Sequence, residues 1–400
     1  MIVLFQKLTY VLLWLTIFTM PIQKHFIIPG IGSLNKAVGI ALAGLAVFTV
    51  LLQKEFKKLP LFFVLLILFI FVNIASYFWA SVPADALDKS VLFLQLAFIA
   101  WAIYEFACTK ERLDGLIKSF VLGCSVIAIQ SIYQYLTGSI QMGVSTRFFI
   151  EGYNPNSLGI IWSLGLAMAM YLTVNGSKLY SLFIPAGAFA ILLTGSRTAM
   201  VLLIFVAICS FWLLFKYRIR FRKIITLSLV IIGWFVVSQL PPGQLERFST
   251  VSDELAGGTL NGRTVIWESG LETFSQRPVL GAGAGSYQEA AAVYGEEMSS
   301  HNSYLSILTE NGLIGMGIFV IMLSILLAFS FKLEKRNPYR WLCLTLITTW
   351  MILSIASHAE AQKYTWIIFG IIITAHYINV KIKDPVKTKT KPLFKKRIVW

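Results

Sequence analysis

The chain has 400 residues, of which 57% are hydrophobic and 13% are charged, and its formal net charge is +15. Soluble domains carry about 25% charged residues, so this composition excludes an ordinary soluble protein. Apolar runs recur along the whole chain, each near the ~20 residues that a helix needs to cross a bilayer. Because the weak alternation of a transmembrane β-barrel is absent, the sequence predicts an all-α polytopic membrane protein.

Taken in chain order, the apolar runs predict about twelve transmembrane helices, with one large outer loop that contains short helices. The predicted spans are 8–28, 37–53, 59–79, 90–107, 116–136, 157–174, 178–194, 198–215, 224–240, 313–331, 341–357 and 365–380. They divide the chain into helices one to nine over 1–240, the large loop over 241–312, helices ten to twelve over 313–380, and a basic tail over 381–400.

Basic residues collect in alternate connections between these spans. One set of connections, together with both termini, holds most of the 34 lysines and arginines. The positive-inside rule assigns this set to the cytoplasm, so both termini are predicted to be cytoplasmic and the large loop to lie outside. Basic clusters that border membrane spans typically contact anionic lipid headgroups, which favours the bilayer over nucleic acid as their partner.

Polar residues stand where two predicted spans begin on the outer side. Asn154 and Asn156 precede the span 157–174, and Arg197 lies at the start of the span 198–215. Helix N-termini present free N–H groups and a partial positive charge, both of which favour anions. These positions therefore predict a phosphate-binding corner. The alternative is simple helix capping beside an arginine that extends to the interface.

The large outer loop contains a predicted short helix that starts after Arg263 and ends at Pro278. Arg263 thus stands beside another helix N-terminus. The run GAGAGS over 281–286 follows this helix and not a strand, so we exclude a nucleotide-binding glycine loop. The four cysteines lie in apolar runs or at their edges without metal-ligand spacing, so we predict no metal site.

The stretch 301-HNSYLSILTENGLIG-315 closes the large loop. Because 313–331 is long enough to span a bilayer alone, 302–310 is predicted to be a separate outer helix that stops at Gly312. His301 then lies at its N-terminus, where the helix dipole favours a neutral ring. A neutral histidine accepts protons near neutral pH. The alternative is an interfacial histidine that only caps the helix.

The other ionisable residues of the outer connections are predicted to play no part in the site. His25 and His358 lie in connections without a comparable polar cluster, which favours a structural role for each. Glu268, Glu272 and Glu310 are predicted to be solvated surface residues.

Together these residues resemble the O-antigen ligase and polymerase superfamily. His301, Asn302, Gly312 and Gly315 match the family pattern H-[N/S/Q]-x9-G-x-x-[G/T/Y]. Further family features stand in order along the chain: an N-P-N turn at 154–156, an S-R turn at 196–197, G-R-x3-W at 262–267 and P-x-x-G-x-G at 278–283. The resemblance extends over nearly the whole chain, including the large outer loop before span ten.

The resemblance implies a membrane glycosyltransferase of the GT-C kind that inverts the anomeric carbon and needs neither metal nor cofactor. Such enzymes take a glycan from an undecaprenyl-diphosphate carrier at the periplasmic, outer face of the bacterial cytoplasmic membrane and pass it to a hydroxyl acceptor. At the matching positions, Arg197 and Arg263 would hold the diphosphate and His301 would accept or orient the hydroxyl proton. The implied substrate-binding residues are Asn302, Arg147, Asn154 and Asn156.

The acceptor stays open at the level of the sequence. The outer loops lack the R-x10-G motif of many O-antigen polymerases, which favours a ligase that transfers to lipid A-core. A polysaccharide polymerase with the same donor chemistry, or transfer to a protein hydroxyl, is the alternative. A glycolipid flippase would need charges deep within the spans, and the sequence has few there.

Overall fold

The computed structural model describes residues 1–53, 57–139, 150, 152–216, 233–234, 238, 263–292 and 298–383. Helices dominate this part of the chain. Numbered over the described residues, they are α1 Ile2–Thr19, α2 Leu34–Gln53, α3 Leu61–Ala75, α4 Pro83–Phe106, α5 Lys110–Leu136, α6 Pro155–Val174, α7 Phe183–Leu193, α8 Arg197–Lys216, α9 Arg263–Gln276, α10 Tyr287–Ala292, α11 Ser303–Lys332, α12 Pro338–Leu353 and α13 Lys363–Lys383. Short 3₁₀ helices follow α3 over Ser76–Phe78 and precede α7 over Lys178–Leu182.

The predicted all-α membrane architecture is confirmed. Among the described residues, nine helices are long and apolar enough to cross a membrane. The apolar helix Lys178–Leu193 and the 16-residue α12 occupy two further predicted spans but are shorter. The predicted span 224–240 lies almost wholly outside the described residues, and so do 241–262 and 384–400. The count of twelve and the boundaries of the loop and tail therefore stay predictions.

The predicted bounds of the first span are wrong. Helix α1 covers Ile2–Thr19 and not 8–28, because Pro21 lacks the N–H that a continuing helix would need. The residues that follow form a small hairpin, in which Ile27–Ile28 pairs antiparallel with Gly32–Ser33. These two-residue strands are the β-structure of the described chain, and the sequence analysis did not predict them.

Among the nine described membrane helices, α6 is the most buried, because 83% of its apolar stretch lies inside the protein. Small residues let its neighbours approach closely, as is common between membrane helices. A Cβ at Gly159 would lie only 2.3 Å from the Cβ of Ala199 on α8. This contact places the first turn of α8, which begins at Arg197, beside the first turn of α6.

Helix α11 is broken at Gly312, whose backbone has φ 60° and ψ −161°. The predicted stop is thus confirmed. It separates residues 303–311, which we call the outer segment after its predicted side, from a membrane segment, 313–332. The break frees backbone groups, and the glycine-rich loop 278–285 binds them. The four backbone bonds are Ala282 N–H to Thr309 O at 2.8 Å, Gly283 N–H to Glu310 O at 2.9 Å, Leu313 N–H to Pro278 O at 2.9 Å and Ile314 N–H to Val279 O at 3.3 Å. Freed groups that would otherwise be unsatisfied inside the protein are therefore paired.

We predict that Gly312→Ala destabilises the protein, whereas Gly317→Ala on the same helix does not. A Cβ at Gly312 would lie 2.3 Å from the carbonyl oxygen of Val279, and nothing lies within 4 Å of one at Gly317. Backbone strain alone costs about 1–3 kcal/mol at such a position. Thermal unfolding of the two variants in detergent measures the difference. Equal unfolding midpoints would contradict the close packing of the break.

Candidate active site

Asn302 caps the outer segment of α11. Its side-chain Oδ1 accepts the backbone N–H groups of Tyr304 at 3.0 Å and Leu305 at 3.1 Å. This cap fixes the chain direction immediately after His301, and the implied role of Asn302 in substrate binding stays a prediction. Ser303 then attaches the start of α11 to the residues after α12. Its N–H donates to Ser354 O at 2.8 Å, and its hydroxyl donates to Ser357 O at 2.8 Å.

His301 has a strained backbone and a half-buried side chain. Its φ of 47° is the one positive φ of a non-glycine residue among the described residues. Left-handed backbone is uncommon outside glycine and persists only where the surroundings enforce it. The His301 N–H donates to Nε2 of His358 at 3.0 Å, and its own Nε2 lies 3.5 Å from the Ser299 hydroxyl. Observed strain of this kind is common at functional sites.

The environment lowers the pKa of His301 below its usual value of 6.5. Burial is the largest cause, followed by the positive charge of Arg263 and then by His358. The predicted neutral ring thus agrees with the geometry, although burial and charge supply the main reason and not the helix terminus. A ring with a lowered pKa is unprotonated near neutral pH and free to accept a proton.

Arg197 and Arg263 lie near each other although 66 positions separate them in the sequence. Arg197 is the first residue of α8, and Arg263 is the first described residue of α9. The pKa of Arg263 is lowered, first by burial and then by the charge of Arg197, but a guanidinium in this range stays protonated. The structure thus places the three predicted catalytic side chains close enough for charge to act from Arg197 to Arg263 and from Arg263 to His301.

The remaining predicted site residues are placed less directly. Asn154 is the N-cap of α6, and its Oδ1 accepts the Asn156 N–H at 2.8 Å. The close contact of Gly159 with α8 sets this corner beside the start of α8, and hence near Arg197. Arg147 lies outside the described residues, so its proposed contact with the donor stays a prediction.

The predicted solvated position of Glu310 is wrong. Its side chain is buried, with 3% of its surface exposed, and its Oε2 lies 2.5 Å from Nζ of Lys89. The same oxygen accepts the Gly285 N–H at 2.9 Å, and Oε1 accepts the Ser306 hydroxyl at 3.2 Å. Glu310 is buried because α4, the glycine-rich loop and the outer segment of α11 meet around it. Lys89, an ionisable residue early in an apolar span, was the signal that predicts such a partner.

The prediction that His358 lacks a polar cluster is also wrong. Its ring centroid lies 5.6 Å from that of His301, and its Nδ1 lies 3.5 Å from Oε1 of Glu360. The connection between α12 and α13 folds back onto the start of α11, where the Ala359 N–H donates to the Ser303 hydroxyl at 2.8 Å. No short-range pattern in the sequence indicates this contact. Glu268 and Glu272 are exposed, as predicted.

A family model described as O-antigen ligase matches residues 181–320, a segment that contains Arg197, Arg263 and His301. This match confirms the resemblance to the O-antigen ligase superfamily. The chain is also 23% identical over 296 residues to the exopolysaccharide production protein ExoQ of Rhizobium meliloti (strain 1021). That alignment includes 66% of this chain and spans 65% of the length of the relative.

We predict that the His301 ring titrates below the ordinary value of 6.5 and that Arg263→Gln raises its pKa. Removing one positive charge favours imidazolium, and burial keeps the midpoint below 6.5. The lowered pKa also affects stability. The folded state binds this proton less tightly than the unfolded state, so the free energy of unfolding decreases when His301 is protonated in acid.

Ring NMR shifts of histidine-labelled protein measure this titration, because the chain has only four histidines. The His301 signal is identified by its loss in His301→Gln. Arg277→Gln is the matched control, since Arg277 is exposed and bonds the Trp79 carbonyl beyond the other end of α9. A wild-type midpoint at or above 6.5, or no change in Arg263→Gln, would contradict the electrostatic link.

Proposed function

We propose that the chain is a membrane glycosyltransferase that moves a glycan from a lipid-diphosphate carrier to a hydroxyl acceptor. One observation carries this proposal: Arg197 lies close enough to Arg263, and Arg263 close enough to His301, to lower the pKa of the second group in each pair, although the three come from separate parts of the chain. The confirmed superfamily resemblance and the multi-pass helices support it. The proposed place of the reaction is the outer face of the bacterial cytoplasmic membrane, with both termini in the cytoplasm.

The two arginines suit a diphosphate that is bound and then released. Mutual repulsion of Arg197 and Arg263 is relieved when an anion lies between them, and their planar guanidinium groups pair with phosphate oxygens. Partial burial strengthens these contacts relative to water. The same groups stabilise the negative charge that grows on the leaving diphosphate. In our proposal this donor is an undecaprenyl-diphosphate-linked glycan.

His301 suits the acceptor side of the reaction. In the proposed step the acceptor oxygen forms a bond to the anomeric carbon, its proton passes to the His301 ring, and the bond from that carbon to the diphosphate oxygen breaks. The diphosphate leaves with the electron pair. Attack opposite the leaving group inverts the anomeric carbon, and no metal is required. Burial, followed by the charge of Arg263, favours the unprotonated ring before the reaction. In the proposal Arg263 also supports the departing anion.

Lipid A-core is the acceptor that the missing polymerase motif favours, which would make the protein a ligase. A second candidate is a polysaccharide polymerase that adds repeat units to a growing glycan. The similarity to a relative named as an exopolysaccharide production protein favours this second candidate. Both use the donor chemistry described above and differ only in the molecule that supplies the hydroxyl.

We predict that His301→Ala and Arg263→Ala each reduce transfer from a lipid-diphosphate-linked oligosaccharide by at least about 100-fold. Purified variants in detergent with a chelator are compared for transfer rate, and each is checked for folding by thermal unfolding. Arg277→Ala and Glu268→Gln are the controls, because both residues are exposed on or beside α9 and lie outside the proposed site. Wild-type transfer rates in both His301→Ala and Arg263→Ala would contradict the proposed function.

We predict further that the product size distinguishes the two acceptors. With lipid A-core present, a ligase gives one added glycan per acceptor, and it gives none without lipid A-core. A polymerase gives a ladder of products from the lipid-linked donor alone. Gel separation of labelled products shows which pattern occurs. A ladder that forms without lipid A-core would contradict the ligase assignment and leave the donor chemistry intact.

A further inference from the structure

The His358 side chain holds the backbone of His301. The His301 N–H donates to His358 Nε2 at 3.0 Å, across 57 positions of sequence. An accepting Nε2 carries a lone pair, so in a neutral ring the proton lies on Nδ1. The hydrogen-bond pattern thus assigns one tautomer to His358. If the ring bore a proton on Nε2, the bond to His301 could not form.

Glu360 lies on the other side of the same ring. Its carboxyl is 1% exposed, and its Oε1 is 3.5 Å from Nδ1 of His358. Burial disfavours the charged carboxylate, but His358 and Lys89 more than offset it, and the pKa of Glu360 lies below its ordinary value. An ionised carboxylate beside Nδ1 attracts a proton to that nitrogen. Glu360 therefore favours the tautomer that the bond to His301 requires.

The connection that carries His358 is itself firmly attached to the start of α11. Ser303 donates its N–H to Ser354 O and its hydroxyl to Ser357 O, and it accepts the Ala359 N–H, each at 2.8 Å. These bonds fix where His358 stands relative to His301. The φ of 47° at His301 is held from two sides: the Ser300 hydroxyl accepts the Asn302 N–H at 3.2 Å and donates to the Asn302 carbonyl at 2.9 Å, and the His301 N–H bonds His358. A left-handed histidine needs such a constraint, because its backbone relaxes to other regions when it is free.

We propose that His358 and Glu360 are a positioning pair for His301, in which Nε2 of His358 holds the strained backbone and Glu360 fixes the accepting tautomer. The pair itself touches neither substrate nor the reacting atoms. It sets the direction of the His301 ring at the site, where a displacement of about 1 Å reduces rates by about 100-fold. The catalytic half of this inference rests on the proposed function, whereas the contact between the two histidines does not.

Two substitutions of His358 separate its role as an acceptor from its volume. His358→Gln places an amide oxygen near the position of Nε2 and keeps an acceptor for the His301 N–H. His358→Leu fills a similar volume and offers no acceptor. We expect kcat to fall by about 10- to 100-fold in His358→Leu, with KM for the lipid-linked donor little changed, and to be largely retained in His358→Gln. We expect Glu360→Gln to lie between them.

Spectra of the full-length protein labelled with ¹⁵N-histidine give a readout that is independent of activity. We expect the ring of His358 to carry its proton on Nδ1 in the wild type and to lose this preference in Glu360→Gln. The His301 backbone amide is expected to exchange with solvent faster in His358→Leu and to stay protected in His358→Gln. Thermal unfolding of each variant checks that the protein is folded.

Each other outcome overturns a stated part of the inference. A proton on Nε2 of His358, or a His301 amide that exchanges equally fast in all variants, would overturn the contact. A further contrary outcome is that His358→Gln loses transfer as completely as His358→Leu while the His301 amide stays protected. That result would assign the His358 imidazole to the chemical step and overturn the positioning role. If the wild-type protein gives the expected spectra but transfers no glycan, the proposed function and the catalytic half of this inference are wrong. The contact between the two histidines then still stands.

Discussion

The break of α11 at Gly312 is the constraint on which the site depends. A continuous helix over 303–332 would point its N-terminus straight out of the bundle, because an α-helix advances about 1.5 Å per residue along one axis. The break turns the outer segment aside, and the glycine-rich loop 278–285 binds the backbone groups that it frees. His301 therefore lies beside the connection between α12 and α13, which carries His358.

The buried charges around Glu310 fix the position of this outer segment. Taking Lys89 and Glu310 out of water costs several kcal/mol per ion, which their attraction offsets only with good geometry and further hydrogen bonds. Glu310 has both, since α4, the glycine-rich loop and its own helix each donate to it. An alternative packing would leave one of these charges buried and unpaired. The ion pair therefore selects one arrangement of the three elements more than it adds stability.

Charge and strain act together at the proposed reaction centre. The arginine pair concentrates positive charge in one corner, and burial, followed by the charge of Arg263, lowers the pKa of His301. The proposed phosphate site and the proposed proton acceptor thus share this positive charge, which acts on His301 together with burial. The strained backbone at His301 contributes to the same site, because the direction of the His301 ring depends on the contact with His358.

The sequence by itself determined what depends on local pattern. Hydropathy defined most of the membrane helices, since each run buries its own backbone polar groups in its own hydrogen bonds. The motif residues indicated Arg197, Arg263 and His301, and Gly312 indicated the helix stop. Tertiary structure alone decided which residues surround them. Lys89 with Glu310 and His301 with His358 are contacts across 221 and 57 positions. A charged residue in an apolar chain shows that it needs a partner, but only the packing of the helices decides which partner comes within reach.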